Sequence, residues 1–330
     1  MIITQTPFRM SFFGGGTDIP EFYMENGGAV ISTTIDKYCY VNVKHLSPFF
    51  DYSTELVYSR IERVTTLEEI EHPAIREAMR YLDMRSLRLT YEADLPARSG
   101  LGTSSSFAVG MLHAFYALKG KYAGKRQLAD DAIYLERTLC QEAGGLQDQI
   151  AAAFGGFNKI TFRSDGYSVE PIVISPCRKR ELNDCLMLFF TGFSRFSAEV
   201  QTSTVQAISD KRRQLMEMAK LAAEAEKILT SKMALSEFGR LLDWTWRLKR
   251  SITSRISTSY IDLLYDNALR AGALGGKLLG AGGGGFLLFY VEPERQERVK
   301  EALDGLMPVP FHFENKGSNI IYFEPEELPA

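Results

Sequence analysis

Along the first third of the chain, apolar and polar positions alternate. AVISTTIDKYCYVNVKHL (29–46) and LRLTYEADL (87–95) are rich in β-branched and aromatic residues, and their period of two predicts strands in a sheet. The period then changes. Phe107, Met111, Phe115 and Leu118 recur at helical spacing, with Gly120 placed to end that helix. Leu128, Ala132, Leu135 and Leu139 predict a second helix over about 126–142. EAGGLQDQIAAAFGGFNKITF then reads as a Gly-Gly turn, a short helix and a strand.

Turn signals at Asp165-Gly166 and Ser175-Pro176, followed by the charged run CRKREL, predict a domain junction within 163–184. The expected division is therefore 1–178 and 179–330. Beyond it, CLMLFFTG reads as a buried strand, followed by long helices over about 196–230 and 234–251 and a third over 258–271. Strand FLLFYV, helix 293–304 and strands VPFHF and NIIYF follow a second glycine cluster. The order predicts an α+β fold, the last third being helices on one face of an antiparallel sheet.

Composition changes this picture little but excludes several functions. At 330 residues the chain exceeds most single cores, and 45% hydrophobic with 24% charged residues is ordinary for a globular enzyme. No apolar run approaches the ~18–20 residues of a membrane span. MIITQTPF lacks a basic segment leading into an apolar stretch, so the expected location is cytoplasmic. A net charge of −3 gives no reason to expect nucleic acid as partner. Cys39, Cys140, Cys177 and Cys185 form no CxxC pair and lie far from His45, His72, His113 and His312, which argues against zinc and disulfides. No G-x-S-x-G elbow of a serine hydrolase occurs.

Candidate chemistry lies in three glycine-rich elements. In PFRMSFFGGGTD (7–18), Gly14, Gly15 and Gly16 let a ligand approach the backbone, and Thr17 and Asp18 set a hydroxyl and a carboxylate beside it. That pair suits a polyhydroxylated ligand; a tight turn with Asp18 capping it locally fits as well. In LPARSGLGTSSS (95–106), glycines precede a helix whose first amides and dipole attract phosphate, and Ser104, Ser105 and Ser106 add donors or a Mg²⁺ ligand. It is not a Walker A sequence, and one capping hydroxyl would account for part of it. In GGKLLGAGGGGF (275–286), four glycines before a buried strand fit a loop pressed against another loop or a ligand. Lys277 is either a cation for that ligand or a solvated surface residue. Carboxylates at Glu136, Glu142 and Asp148 complete the candidates for phosphoryl transfer.

In this order, PFRMSFFGGGTD, PARSGLGTSSS, GGLQDQ and KLLGAGGGGF resemble the GHMP kinases, the galactokinase, homoserine, mevalonate and phosphomevalonate kinase superfamily. The resemblance covers essentially the whole chain. GGGTD, EAGGLQDQIAAAFGGFN, TGFSR (191–195) and WRLKR (246–250) are most similar to the branch acting on D-glycero-D-manno-heptose 7-phosphate, with fucose kinase domains sharing some of these features. It implies a first domain like ribosomal protein S5 domain 2, a ferredoxin-like second domain, and an active site in the cleft between them.

It also implies roles. Arg98, Ser99, Gly100, Leu101, Gly102, Thr103, Ser104 and Ser105 would wrap ATP, with Ser104 and Glu136 holding Mg²⁺. Asp148 would take or orient the acceptor proton, paired with Arg9. Gly14, Gly15, Gly16, Thr17 and Asp18 would meet the sugar, and Arg195, Lys249 and Lys277 are the cations available for the acceptor's own phosphate. Arg98 stands where the family usually has glycine. Gly15 stands where the mevalonate branch has glutamate, which favours a sugar acceptor. The implied activity phosphorylates the anomeric hydroxyl of a sugar phosphate on the way to nucleotide-activated heptose and surface polysaccharide. Rivals are a kinase for another sugar such as fucose and a regulator that binds ATP and sugar without turnover. The expected partner is a small sugar phosphate, not nucleic acid or a membrane; both a monomer and an oligomer fit.

Overall fold

The computed structural model describes residues 1–97, 99–192, 202, 208–280 and 282–324. Two sheets organise the chain. The larger runs in the order Asn319–Phe323, Ile2–Phe13, Gly28–His45, Leu87–Ala93, Thr54–Val57, Ile61–Val64. Phe157–Arg163 also pairs with the long Gly28–His45 strand and carries Gly166–Pro171 on its far side. Thr54–Val57 runs parallel to Leu87–Ala93, so the sheet is mixed. The smaller sheet, Met307–Pro308, Leu186–Gly192, Gly285–Tyr290 and Gly275–Leu278, is antiparallel throughout.

The last residues depart from the expected terminal α+β unit. Of VPFHF only Phe313 enters a strand, as Phe313–Glu314, and it pairs with Gly28–His45. NIIYF forms its strand but returns to the first sheet, with Ile2 opposite Phe323. An alternating run declares a strand but not its partner, since any sheet edge satisfies its backbone.

The strand Ile2–Phe13 joins the two halves through its own alternation. Phe8, Met10 and Phe12 lie in a core shared with Leu186, Leu188, Phe238, Leu279 and Phe286 of the second half. The intervening Arg9 and Ser11 side chains point the opposite way, as the period of two requires. Register irregularity between Ser11 and Phe13 then turns Phe13 into the same core. Phe238 meets Phe12 and Phe13 edge-on, with centroids 5.3 and 5.0 Å away. That anchors the helix Ser236–Arg250, whose last turn carries Lys249.

Helices appear where the helical spacing predicts them, with one change of geometry; of the helix expected over 196–230 the structure shows Ile208–Thr230, and 196–201 and 203–207 lie outside the described residues. The expected helix over 126–142 is α-helical over Lys125–Ile133 and widens to a π-turn over Tyr134–Leu139, where the Cys140 amide donates to the Leu135 carbonyl at 2.9 Å. Such widened turns reposition one side chain without ending the helix, and here that side chain is Glu136.

Candidate active site

Three backbone loops and one helix end meet at the junction of the halves. The helix Thr103–Leu118 begins at Gly102, which has φ +72° and supplies no side-chain cap. The Ser104 and Ser105 hydroxyls do not cap it either; they donate to Glu136 at 3.1 and 2.7 Å. The simple capping alternative is therefore not what this serine run does. Its amides keep the character of an anion-binding helix start.

The glycine loops touch backbone to backbone. Gly100 has φ +88°, and a Cβ there would lie 2.4 Å from the Leu279 carbonyl oxygen. A Cβ on Gly280 would meet Gly100 Cα at 2.4 Å, and one on Gly285 would meet the Ser99 oxygen at 2.3 Å. Glycine in both loops is what allows them to close on each other.

Arg9 lies across this contact. Its Nε and Nη2 donate to the two oxygens of Asp148, both at 2.7 Å, and its Nη1 donates to the Gly100 carbonyl at 2.7 Å. The guanidinium is buried, whereas the Asp148 side chain keeps 25% of its surface exposed. Asp148 sits in the first turn of the helix Gln147–Phe154, where a carboxylate is favoured by the dipole. The planar fork thus fixes the carboxylate while leaving it a face toward solvent.

Asp18 is buried. Its Oδ1 accepts from the Gly16 amide at 2.9 Å, its Oδ2 from the Gln147 amide at 3.1 Å, and its backbone oxygen from the Leu146 amide at 3.2 Å. Burial raises its pKa, the neighbouring Asp148 adds to that, and the donated amides oppose it. Thr17 is also enclosed, its hydroxyl donating to the Gly14 oxygen at 2.8 Å. Gly14 has φ +80° and Gly16 φ +102°, and Gly15 remains partly exposed beside the Gln147 carboxamide.

Two lysines of the second half approach the same place. Lys249 donates to the Gly280 carbonyl. Burial first, and then Arg9, lowers its pKa to about 8, with Asp18 and Asp148 pulling the other way. Lys277 is 2% exposed and donates to the Phe12 carbonyl at 2.9 Å. Burial, Lys249 and Arg9 push its pKa well down. The solvated-surface reading of Lys277 does not hold, because its strand Gly275–Leu278 runs through the interior. Arg98 and Arg195 lie outside the described residues.

Glu136 is buried, and besides the serines it accepts from the Gln149 carboxamide. Burial, with Glu142 adding repulsion, raises its pKa to about 7, against the hydrogen bonds from Ser105 and Gln149. Among the described residues no group of three His, Cys, Asp or Glu side chains could hold a metal. The Ser104 hydroxyl and the Glu136 carboxylate form a two-oxygen set, which suits Mg²⁺, an ion that keeps waters and phosphate oxygens as its other ligands. Gln149 was not anticipated; its only signal is its place directly after Asp148 in QDQ. Among the described residues no helix is long and apolar enough to cross a membrane.

Comparison with known proteins identifies the family. The family model for the GHMP kinases N terminal domain matches residues 68–156, and that for the GHMP kinases C terminal matches residues 221–308. A D-glycero-alpha-D-manno-heptose 7-phosphate kinase of Campylobacter jejuni is 29% identical over 92% of this chain and 93% of its own length. An L-fucokinase/L-fucose-1-P guanylyltransferase of Bacteroides fragilis is 26% identical over 93% of this chain, which spans 36% of that longer protein. A solved D-glycero-D-manno-heptose 1-phosphate kinase from Bacteroides thetaiotaomicron superposes with a TM-score of 0.79 at 26% identity, covering 98% of this chain and all of the other. The two family matches lie in chain order and together take in just over half of the residues, so this chain belongs to the GHMP kinases.

Proposed function

We propose that this chain transfers the γ-phosphoryl group of ATP to the anomeric hydroxyl of a sugar phosphate, D-glycero-D-manno-heptose 7-phosphate being the substrate favoured, to give the 1,7-bisphosphate. The observation that carries the reading is the forked Arg9–Asp148 pair at the mouth of the Gly100–Ser105 loop. The Asp148 carboxylate accepts the proton of the acceptor hydroxyl as its oxygen bonds to the γ-phosphorus and the bond to ADP breaks. Arg9 orients that carboxylate and offers positive charge to the transferred group. The backbone of Ser99–Ser105 cradles the triphosphate, and Ser104 with Glu136 holds Mg²⁺, which when bound neutralises phosphate charge. The Gly14–Gly16 backbone receives the sugar. Lys249, within electrostatic reach of Arg9, Asp18 and Asp148, is the favoured described cation for the acceptor's own phosphate. A regulator without turnover would have no need of a fixed carboxylate facing solvent.

The test is ADP release with heptose 7-phosphate, the same heptose unphosphorylated, heptose 1-phosphate and fucose. Turnover with the 7-phosphate, reduced at least about a hundredfold in Asp148→Asn with ATP binding retained, is expected. No turnover with the 7-phosphate alongside turnover of another acceptor would reassign the substrate, and an unchanged Asp148→Asn would remove that residue from the mechanism.

A further inference from the structure

We infer that Asp18 is a positioning residue that braces Asp148 against the sugar-side loop, an inference that rests on the kinase reading for the role of Asp148. A residue whose main task is to meet a sugar hydroxyl should present its oxygens to the cleft. Asp18 is 2% exposed, and each of its three oxygens accepts a backbone amide. One of these amides, Gly16, belongs to the sugar-side loop; the other two, Leu146 and Gln147, are the residues directly before Asp148. The side chain therefore clamps two segments that are far apart in sequence.

The fit around it is tight. A Cβ added to Gly145 would lie 1.8 Å from Asp18 Oδ2, so the GGLQD turn is shaped to the carboxylate. Gln147 opens the helix Gln147–Phe154, and its amide is one of the orphan donors of a helix start. Asp18 caps that helix from a distant loop; neither its N-cap residue, Leu146, nor any other local side chain does so. Helix and fork then act together: Asp18 fixes the first turn and Arg9 fixes the carboxylate borne on it. A displacement of the sugar-side loop passes through one carboxylate to the base.

Four variants test this: Asp18→Asn, Asp18→Ala, Gly145→Ala and Asp18→Ala/Gly145→Ala. Hydrogen exchange at the Leu146 and Gln147 amides needs no acceptor, so it reads the brace even if the substrate assignment fails. Exchange faster by at least about tenfold in Asp18→Asn and Gly145→Ala is expected, with melting otherwise cooperative. With whichever acceptor the panel identifies, kcat should fall at least about tenfold in both, with the fall in kcat exceeding any rise in KM. In the double variant the added methyl finds the space left by the missing carboxylate, so its kcat should match that of Asp18→Ala alone. Unchanged amide exchange, or a rise in KM with kcat preserved, overturns the inference, and so do independent effects in the double variant.

Discussion

Arg9→Met isolates the contribution of the fork. Methionine retains much of the apolar stem and removes all three donations, two to Asp148 and one to the Gly100 carbonyl. Breaking a buried pair by deleting one partner costs about 3–5 kcal/mol. Asp148 keeps a quarter of its side chain exposed, so it can regain water and the lower limit, about 3 kcal/mol, applies. The stranded Gly100 carbonyl adds about 1 kcal/mol, for a loss of stability of about 4 kcal/mol. In turnover, loss of a donor aimed at developing charge lowers kcat about a hundred- to a thousandfold. Arg9→Lys keeps the charge but not the fork, and should fall between wild type and Arg9→Met on both measures. Urea unfolding followed by fluorescence gives the first quantity and coupled ADP release the second. Combined with Asp148→Asn, the stability losses should fall short of additivity by about 2 kcal/mol, because each variant removes the same contact. A stability change below about 0.5 kcal/mol, with kcat unaltered, would refute the argument that the pair is a buried and functional unit.

Two further outcomes follow from the same geometry. Burial lowers the pKa of His113 to about 4, and its Nδ1 lies 3.0 Å from the Ser318 hydroxyl. The unfolded imidazole protonates first as pH falls, so this contribution to stability is present above about 6.5 and is lost as pH falls toward about 4, by about 3 kcal/mol in all. His113→Gln should flatten that stretch of the urea-stability profile, and parallel profiles would contradict it. Gly100→Ala sets a Cβ 2.4 Å from the Leu279 oxygen at φ +88°, whereas Gly120→Ala, at φ +65°, meets nothing within 4 Å. By calorimetric titration Gly100→Ala should weaken ATP at least about tenfold, while Gly120→Ala should cost only the backbone strain of about 1 kcal/mol and leave nucleotide affinity intact; equal affinity losses in both would disprove the loop-contact argument.

How far the chain could be understood before folding depended on the range of the interaction. Local periodicity located the strand Gly28–His45 and the helices Thr103–Leu118 and Ser259–Ala271 closely. The continuous helix expected over 126–142 concealed the π-turn at Tyr134–Leu139, because one extra residue in a turn barely disturbs an apolar stripe. The inward aim of Glu136 was therefore not readable from spacing. The glycines of GAGGGG announced a close approach correctly, but not that its partners were the backbone of Ser99 and Gly100. Lysine type says nothing of burial when a strand passes through a core, and Lys277 is such a case. The pairing of Arg9 with Asp148 spans 139 residues and came from family resemblance, since no local pattern encodes it.

The strand that carries Arg9 has a further consequence for how the molecule is made. Its outer edge is covered by Asn319–Phe323. During vectorial synthesis Ile2–Phe13 is made well before Asn319–Phe323, and that edge stays open until the segment around residue 323 has left the ribosome. The sheet thus closes by its most distant contact in sequence, the slowest kind to form. A nascent chain halted before that segment bears an incomplete sheet, with the ladder groups of Ile2–Gln5 exposed on the strand that carries Arg9. The sheet that carries Arg9 is in this sense completed by residues made long after it, which take no part in the chemistry.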